Sequence, residues 1–135
     1  MLNFVYPLDN ILSLRFNVVI VSATQKEVTL SRTLELSRYV VEGDQEQPFL
    51  AKRGAMVEAA KENFPGLIDV TLAKLDDGSY VDAWIWEDRR FCEAAMAKVE
   101  AVPVIVDWLQ HLGEDVSMEF GTLVEAEKRR RLDQR

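Results

Sequence analysis

The chain has 135 residues, enough for one domain that buries a core without disulfides or structural metal. Hydrophobic residues make up 48% and charged residues 29%, which fits a globular protein and excludes a disordered one. Its 16 Lys and Arg against 23 Asp and Glu leave a formal charge of −7, which repels phosphate backbones and argues against nucleic acid as a partner.

The opening stretch MLNFVYPLDN carries Asp9 and no lysine or arginine, unlike a secretory leader. Arg15 and Asn17 interrupt the apolar run that follows, leaving it too short for a bilayer, so no membrane association is expected. Leu12, Leu14, Phe16, Val18 and Ile20 alternate with period two and predict a strand. We divide the chain into a lead segment with this extra strand (1–33), a compact domain (34–124) and a charged tail (125–135). In the tail, Lys128 to Arg131 form a local basic cluster that reads as a solvated face. Cys92 is the single cysteine, so an internal disulfide is impossible and a reducing, cytoplasmic compartment is expected.

Within the domain, LELSRYVV has strand character, and Gly43 with Asp44 ends it and opens a helix, Asp44 capping the first amides. Phe49, Arg53, Met56, Ala60 and Phe64 recur at helical spacing, Pro48 fits the first turn, and Pro65-Gly66 stops the helix. LIDVTLAKL and SYVDAWIWE form a hairpin about the turn residues Asp76, Asp77 and Gly78. Asp88 caps a second helix, RRFCEAAMAKVEAV, with Phe91, Cys92, Ala95, Met96 and Val99 on its apolar face. Pro103 begins a short third helix that Gly113 closes, and DVSMEFGTLV is the last strand.

The order β-α-β-β-α-(α)-β is that of a ferredoxin-like α+β domain, an antiparallel four-stranded sheet with helices on one face. Strands two, three and four offer apolar residues on both faces. Two copies are therefore expected to pack sheet against sheet as a homodimer.

In the third strand Tyr80, Asp82, Trp84 and Trp86 project to one face. Each indole can bury on the order of 150–250 Å2, or about 4–6 kcal/mol of gross transfer energy, so something must cover them. They are either core and interface filler or the wall of a pocket holding an apolar ligand. Asp82 among indoles needs a cation, and Arg53 on the inward stripe of the first helix is the candidate. Alternatively, Arg53 lays its stem along the core and Asp82 pairs at the sheet edge.

The segment FPGLIDVTLAKLDDGSYVDAWIWEDRRF has a Pro-Gly, a strand, an acidic-Gly turn and a strand ending near Trp-Glu. Over about Leu36 to Val124 the chain resembles the antibiotic biosynthesis monooxygenase family of dimeric α/β-barrel proteins. That resemblance implies a pocket between sheet and helices, no bound cofactor, and oxidation of a small phenol or hydroquinone whose own anion reduces oxygen. In such a pocket Asp82 would accept the proton and Arg53 would be the cation steadying the anion. Trp84, Trp86, Tyr39, Tyr80 and Met96 would contact the substrate. The alternative is a non-catalytic dimeric ligand-binding or structural module of the same fold.

The family's haem-degrading branch fits less well. Trp86 matches its Trp position, but Ser37 stands near where an Asn is needed and Met96 where a His is needed. His111, the single histidine, lies near the end of the third helix, and no metal site is expected. Cys92 reads as inert core rather than nucleophile.

Overall fold

β1 (Thr33–Tyr39) lies between β3 (Tyr80–Trp86) and β4 (Val116–Thr122), and β2 (Leu67–Lys74) pairs along the other side of β3. The sheet order is β2-β3-β1-β4 and every pairing is antiparallel. Helix α1 (Glu46–Asn63) joins β1 to β2, while α2 (Arg89–Lys98) and α3 (Pro103–Leu109) lie between β3 and β4. This is the expected ferredoxin-like arrangement, in a computed structural model that describes residues 31–127. The strand expected in the lead segment and the basic cluster at 128–131 lie outside the described residues. Among the described residues, no helix is long and apolar enough to cross a membrane.

Local chemistry accounts for most boundaries. The β2–β3 hairpin closes through Leu75 N–H to Ser79 O and Gly78 N–H to Leu75 O, with Gly78 at φ +93°. Asp88 caps α2 as expected, its carboxylate accepting from Arg90 N–H. Asp44 does not cap α1. A short 3-10 turn, Gly43–Gln45, takes up that position, and the helix starts at Glu46 without a side-chain cap. The second predicted helix also ends earlier than its apolar pattern suggests. After Lys98 it tightens into a 3-10 turn, Val99–Ala101, because Pro103 disfavours helical backbone at Val102.

Register decides which side chains face the helices. Glu35 pairs with Trp84, Ser37 with Asp82 and Tyr39 with Tyr80, so these polar and aromatic residues share the inner face. Their neighbours Leu34, Leu36, Val81, Ala83 and Ile85 turn outward. A register shift between Leu67 and Asp69 leaves Val70 and Leu72 facing inward beside Trp84 and Asp82. Asp69, Thr71 and Ala73 face outward as a result, as do Ser117, Glu119 and Gly121 of β4. The outer face is thus apolar mainly along its two central strands, with Arg38 at one end of β1. This narrows the expectation of apolar residues on both faces of the second, third and fourth strands.

The core lies between the inner face and the helices, around Phe49, Met56, Ala60 and Phe64 of the first helix and its end, with Trp86, Cys92 and Trp108. Gly66 holds the entry to β2 at φ +86°, and a Cβ placed there would sit 2.2 Å from the ring of Phe91. Backbone strain and a clash with a packed ring act together at this position. Gly66→Ala is therefore expected to lower the unfolding free energy by about 2 kcal/mol or more, seen as a lower urea midpoint. An unchanged midpoint would mean that turn and ring relax freely.

Candidate functional site

A cavity of about 80 Å3 lies between the inner face of the sheet and the helices. Its sheet side is formed by Glu35, Ser37 and Tyr39 of β1 and by Asp82, Trp84 and Trp86 of β3. Met56, Met96 and Trp108 approach from the three helices, and Met118 closes one side from β4. Almost all the remaining wall is aliphatic, so each polar group facing the cavity matters.

Asp82 is the most heavily bonded of these groups. Its Oδ1 accepts from Arg53 Nη2 at 2.6 Å and from Trp84 Nε1 at 2.8 Å. Its Oδ2 accepts from Arg53 Nη1 at 2.6 Å and from the Tyr39 hydroxyl at 2.7 Å. The Arg53 and Asp82 side chains are only 12% and 5% exposed, making this a buried, bidentate ion pair. Burial alone would pull the Arg53 guanidinium down, but the bonds and charge of Asp82 outweigh it and hold its pKa above the ordinary value. Arg53 also lies 5.1 Å above the Trp108 ring. Burial, reinforced by the Asp82 charge, keeps Tyr39 protonated far above the usual phenol range.

Glu35 is a second carboxyl in the same cavity, in a different environment. Its Oε1 accepts from Trp86 Nε1 at 2.9 Å and, weakly, from Cys92 Sγ at 3.7 Å. Glu35 retains some exposure, but that exposure belongs to a cavity-lining residue whose carboxyl is ringed by protein. Burial pushes its pKa up to about 7; the nearby Asp82 charge adds to the rise, and the bonds from Trp86 and Cys92 oppose it. The Cys92 thiol is itself raised well above its ordinary value by burial and the Glu35 charge, which keeps it an inert thiol.

Of the residues singled out from the sequence, Tyr39, Asp82, Trp84, Trp86 and Met96 line the cavity. Arg53 meets Asp82 from α1 but stands outside the lining. Tyr80 also lies outside it, its hydroxyl donating to Glu46 Oε2 at 2.5 Å. The two indoles are stacked at 6.1 Å and serve as core and wall together. Trp86 is 1% exposed against Phe64, whereas Trp84 is half-buried. His111 bridges helices away from the cavity, taking Lys52 Nζ at Nε2 and facing Gln45 Oε1 at Nδ1. No group of three potential metal ligands occurs among the described residues.

Glu35 is the residue that sequence reasoning missed. Period-two alternation from Tyr39 would have found it, since Glu35, Ser37 and Tyr39 must share a face.

The raised Glu35 pKa has a consequence for stability. A carboxyl that binds its proton more tightly when folded loses stability for the protein as pH rises from about 4.5 to about 7. Glu35→Gln keeps the oxygen that accepts from Trp86 and removes the titration. Urea unfolding is expected to show near-equal stability for the two proteins at acidic pH and an advantage of about 3 kcal/mol for the variant at alkaline pH. A pH-independent difference would contradict this.

No family model and no curated protein matches the chain. Solved structures do match. The cofactor-independent oxygenase SnoaB from Streptomyces nogalater is 21% identical, with a TM-score of 0.54 over 73% of this chain and 96% of its own. The monooxygenase from the ActVA-Orf6 gene of Streptomyces coelicolor, in complex with nanaomycin D, is 15% identical, with a TM-score of 0.58 over 74% and 94%. A Caulobacter crescentus structure, provisionally described as an antibiotic biosynthesis monooxygenase, is 12% identical, with a TM-score of 0.60 over 76% and 99%. At these identities the likeness is one of chain path: the protein shares its fold with structures described as antibiotic biosynthesis monooxygenases.

Proposed function

We propose that the cavity binds a small phenol or hydroquinone and that the protein oxidises it with dioxygen, without a bound cofactor. The observation that carries this reading is one aromatic-walled cavity holding two carboxyls of unlike electrostatic state. The fold it shares with cofactor-independent oxygenases supports it.

The chemistry asks little of a protein. Loss of the hydroxyl proton leaves an electron-rich anion, which passes one electron to dioxygen. Substrate radical and superoxide then join at a ring carbon. Cleavage of the O–O bond leaves a carbonyl there and releases hydroxide, which a proton converts to water. In sum, a phenol and dioxygen give a quinone and water. The protein must hold the ring, accept and return a proton, and avoid repelling the anion.

Trp84 offers the ring a stacking surface, Trp86 backs it from the core, and Met96 approaches from α2. Arg53 cancels the charge of Asp82 at the wall, so an anion forming nearby meets a neutral pair. Size favours a single ring. The cavity is smaller than the roughly 150 Å3 engineered cavity that takes benzene, and the flexible Met56, Met96 and Met118 side chains are the ones able to make room. Tyr80 has no direct part in this scheme; it ties β3 to the start of α1 through Glu46.

Indole fluorescence titrated with hydroquinone, alongside oxygen uptake, tests the reading. Quenching and uptake are expected for the native protein, and Ala95→Phe, which fills the cavity, is expected to weaken binding at least tenfold. Binding without uptake would leave the non-catalytic ligand-binding module. Neither signal would remove the site altogether.

We further propose a homodimer closed through the outer sheet face, where Leu34, Leu36, Val81, Ala83 and Ile85 form an apolar band. The lone buried thiol Cys92 supports a reducing, cytoplasmic setting. Sedimentation at micromolar concentration is expected to give a dimer that Leu36→Asp converts to a folded monomer. A native protein that sediments as a monomer would overturn the dimer.

A further inference from the structure

We propose that Glu35, rather than Asp82, accepts the proton of the bound phenol. The inference rests on the cavity being a phenol site, and it assigns the two carboxyls different work.

Hydrogen-bonding capacity separates them first. Four donors converge on Asp82, two on each oxygen, which leaves no good direction for a further proton. On Glu35 both bonds fall on Oε1, and among the described residues none reaches Oε2, although Glu35 lines the cavity. Charge separates them next. Arg53 balances Asp82 directly, and protonating Asp82 would strand a buried guanidinium. Among the described residues no cation contacts Glu35. The groups that act on it are the Asp82 carboxylate from β3, the Trp86 N–H and the Cys92 thiol from α2, and Arg89 acts on Cys92. Burial then tunes the carboxyl to about 7, where the ionised form is available near neutral pH and still basic enough to take a proton.

Position completes the case. The Glu35 backbone pairs with Trp84 across the sheet, and its carboxyl is tied to Trp86, so it stands at the edge of the stacked indoles. In the proposed complex the ring lies against Trp84 with its hydroxyl at Oε2. The phenol O–H bond breaks, the proton moves to Oε2, and the electron pair stays on the phenol oxygen. When the oxygenated ring releases hydroxide, the same proton leaves with it as water and restores the carboxylate.

The test uses 4-nitrophenol, whose phenolate is coloured and whose nitro group blocks the para carbon. At about pH 8.5 both the ligand and Glu35 are ionised when free, and two anions cannot share the site unprotonated. Native protein is therefore expected to take up about one proton per ligand bound while the phenolate colour persists, because that proton resides on Glu35. Glu35→Gln, which keeps the Trp86 bond, is expected to bind within about threefold while retaining the colour and taking up no proton. With hydroquinone, oxygen uptake by the variant is expected to fall about 100-fold or more. Equal proton uptake by both proteins, bleaching of the colour by native protein, or full oxygen uptake by the variant would overturn the assignment while leaving the phenol site standing. No binding to either protein would remove the phenol site and the assignment with it. Binding by native protein without oxygen uptake would end the oxidation reading alone, and proton uptake with the colour kept would still decide whether Glu35 is the acceptor.

Discussion

The buried pair between Arg53 and Asp82 is the constraint around which the inner face is arranged. A carboxylate in the middle of β3, facing a helical layer, is tolerable only with a cation at hydrogen-bond distance and its remaining lone pairs filled. Arg53 satisfies both oxygens from α1, and Tyr39 and Trp84 fill what is left. One ionic knot thereby ties α1 to the two central strands and orients the Trp84 indole. Losing either charge would leave its partner buried and uncompensated, a cost of about 3–5 kcal/mol. The geometric effect of the knot is to hold an aromatic wall in place.

With Asp82 saturated, Glu35 sets the electrostatics of the cavity. Two carboxyls on neighbouring strands, both facing inward, would repel one another if both stayed ionised without help. Arg53 resolves this by neutralising one of them, and burial raises the pKa of the other. The result is one buried, balanced ion pair beside one carboxyl that burial raises to about 7. Unlike environments for like residues are how a single fold separates structural from proton-handling carboxyls. Trp86 belongs to both halves of this arrangement, packed against Phe64 in the core and donating to Glu35 at the cavity.

Much of the fold was legible in the chain because its signals are local. Pro65-Gly66 and Asp76-Asp77-Gly78 punctuate the backbone through torsions that few other residues adopt, and Asp88 caps its own helix. Asp44 misled because capping depends on the backbone it meets, and a 3-10 turn occupied that place. The site was half legible. Alternation along SYVDAWIW put Asp82, Trp84 and Trp86 together, and helical spacing put Arg53 opposite them. Glu35 escaped notice because Leu34 and Leu36 are the residues of that strand that look inward-facing by composition.

The amino-acid order alone determined the succession of strands and helices, the hairpin turn and which residues of each element share a face, because periodicity and turn chemistry act over a few residues. Only the tertiary structure decided which face of β1 turns inward, since that depends on register against Trp84 and Asp82 across the sheet. It also decided which carboxyl is paired and which is left to titrate. Those differences come from desolvation and from a guanidinium 29 positions away in sequence, and neither is written in the strands themselves.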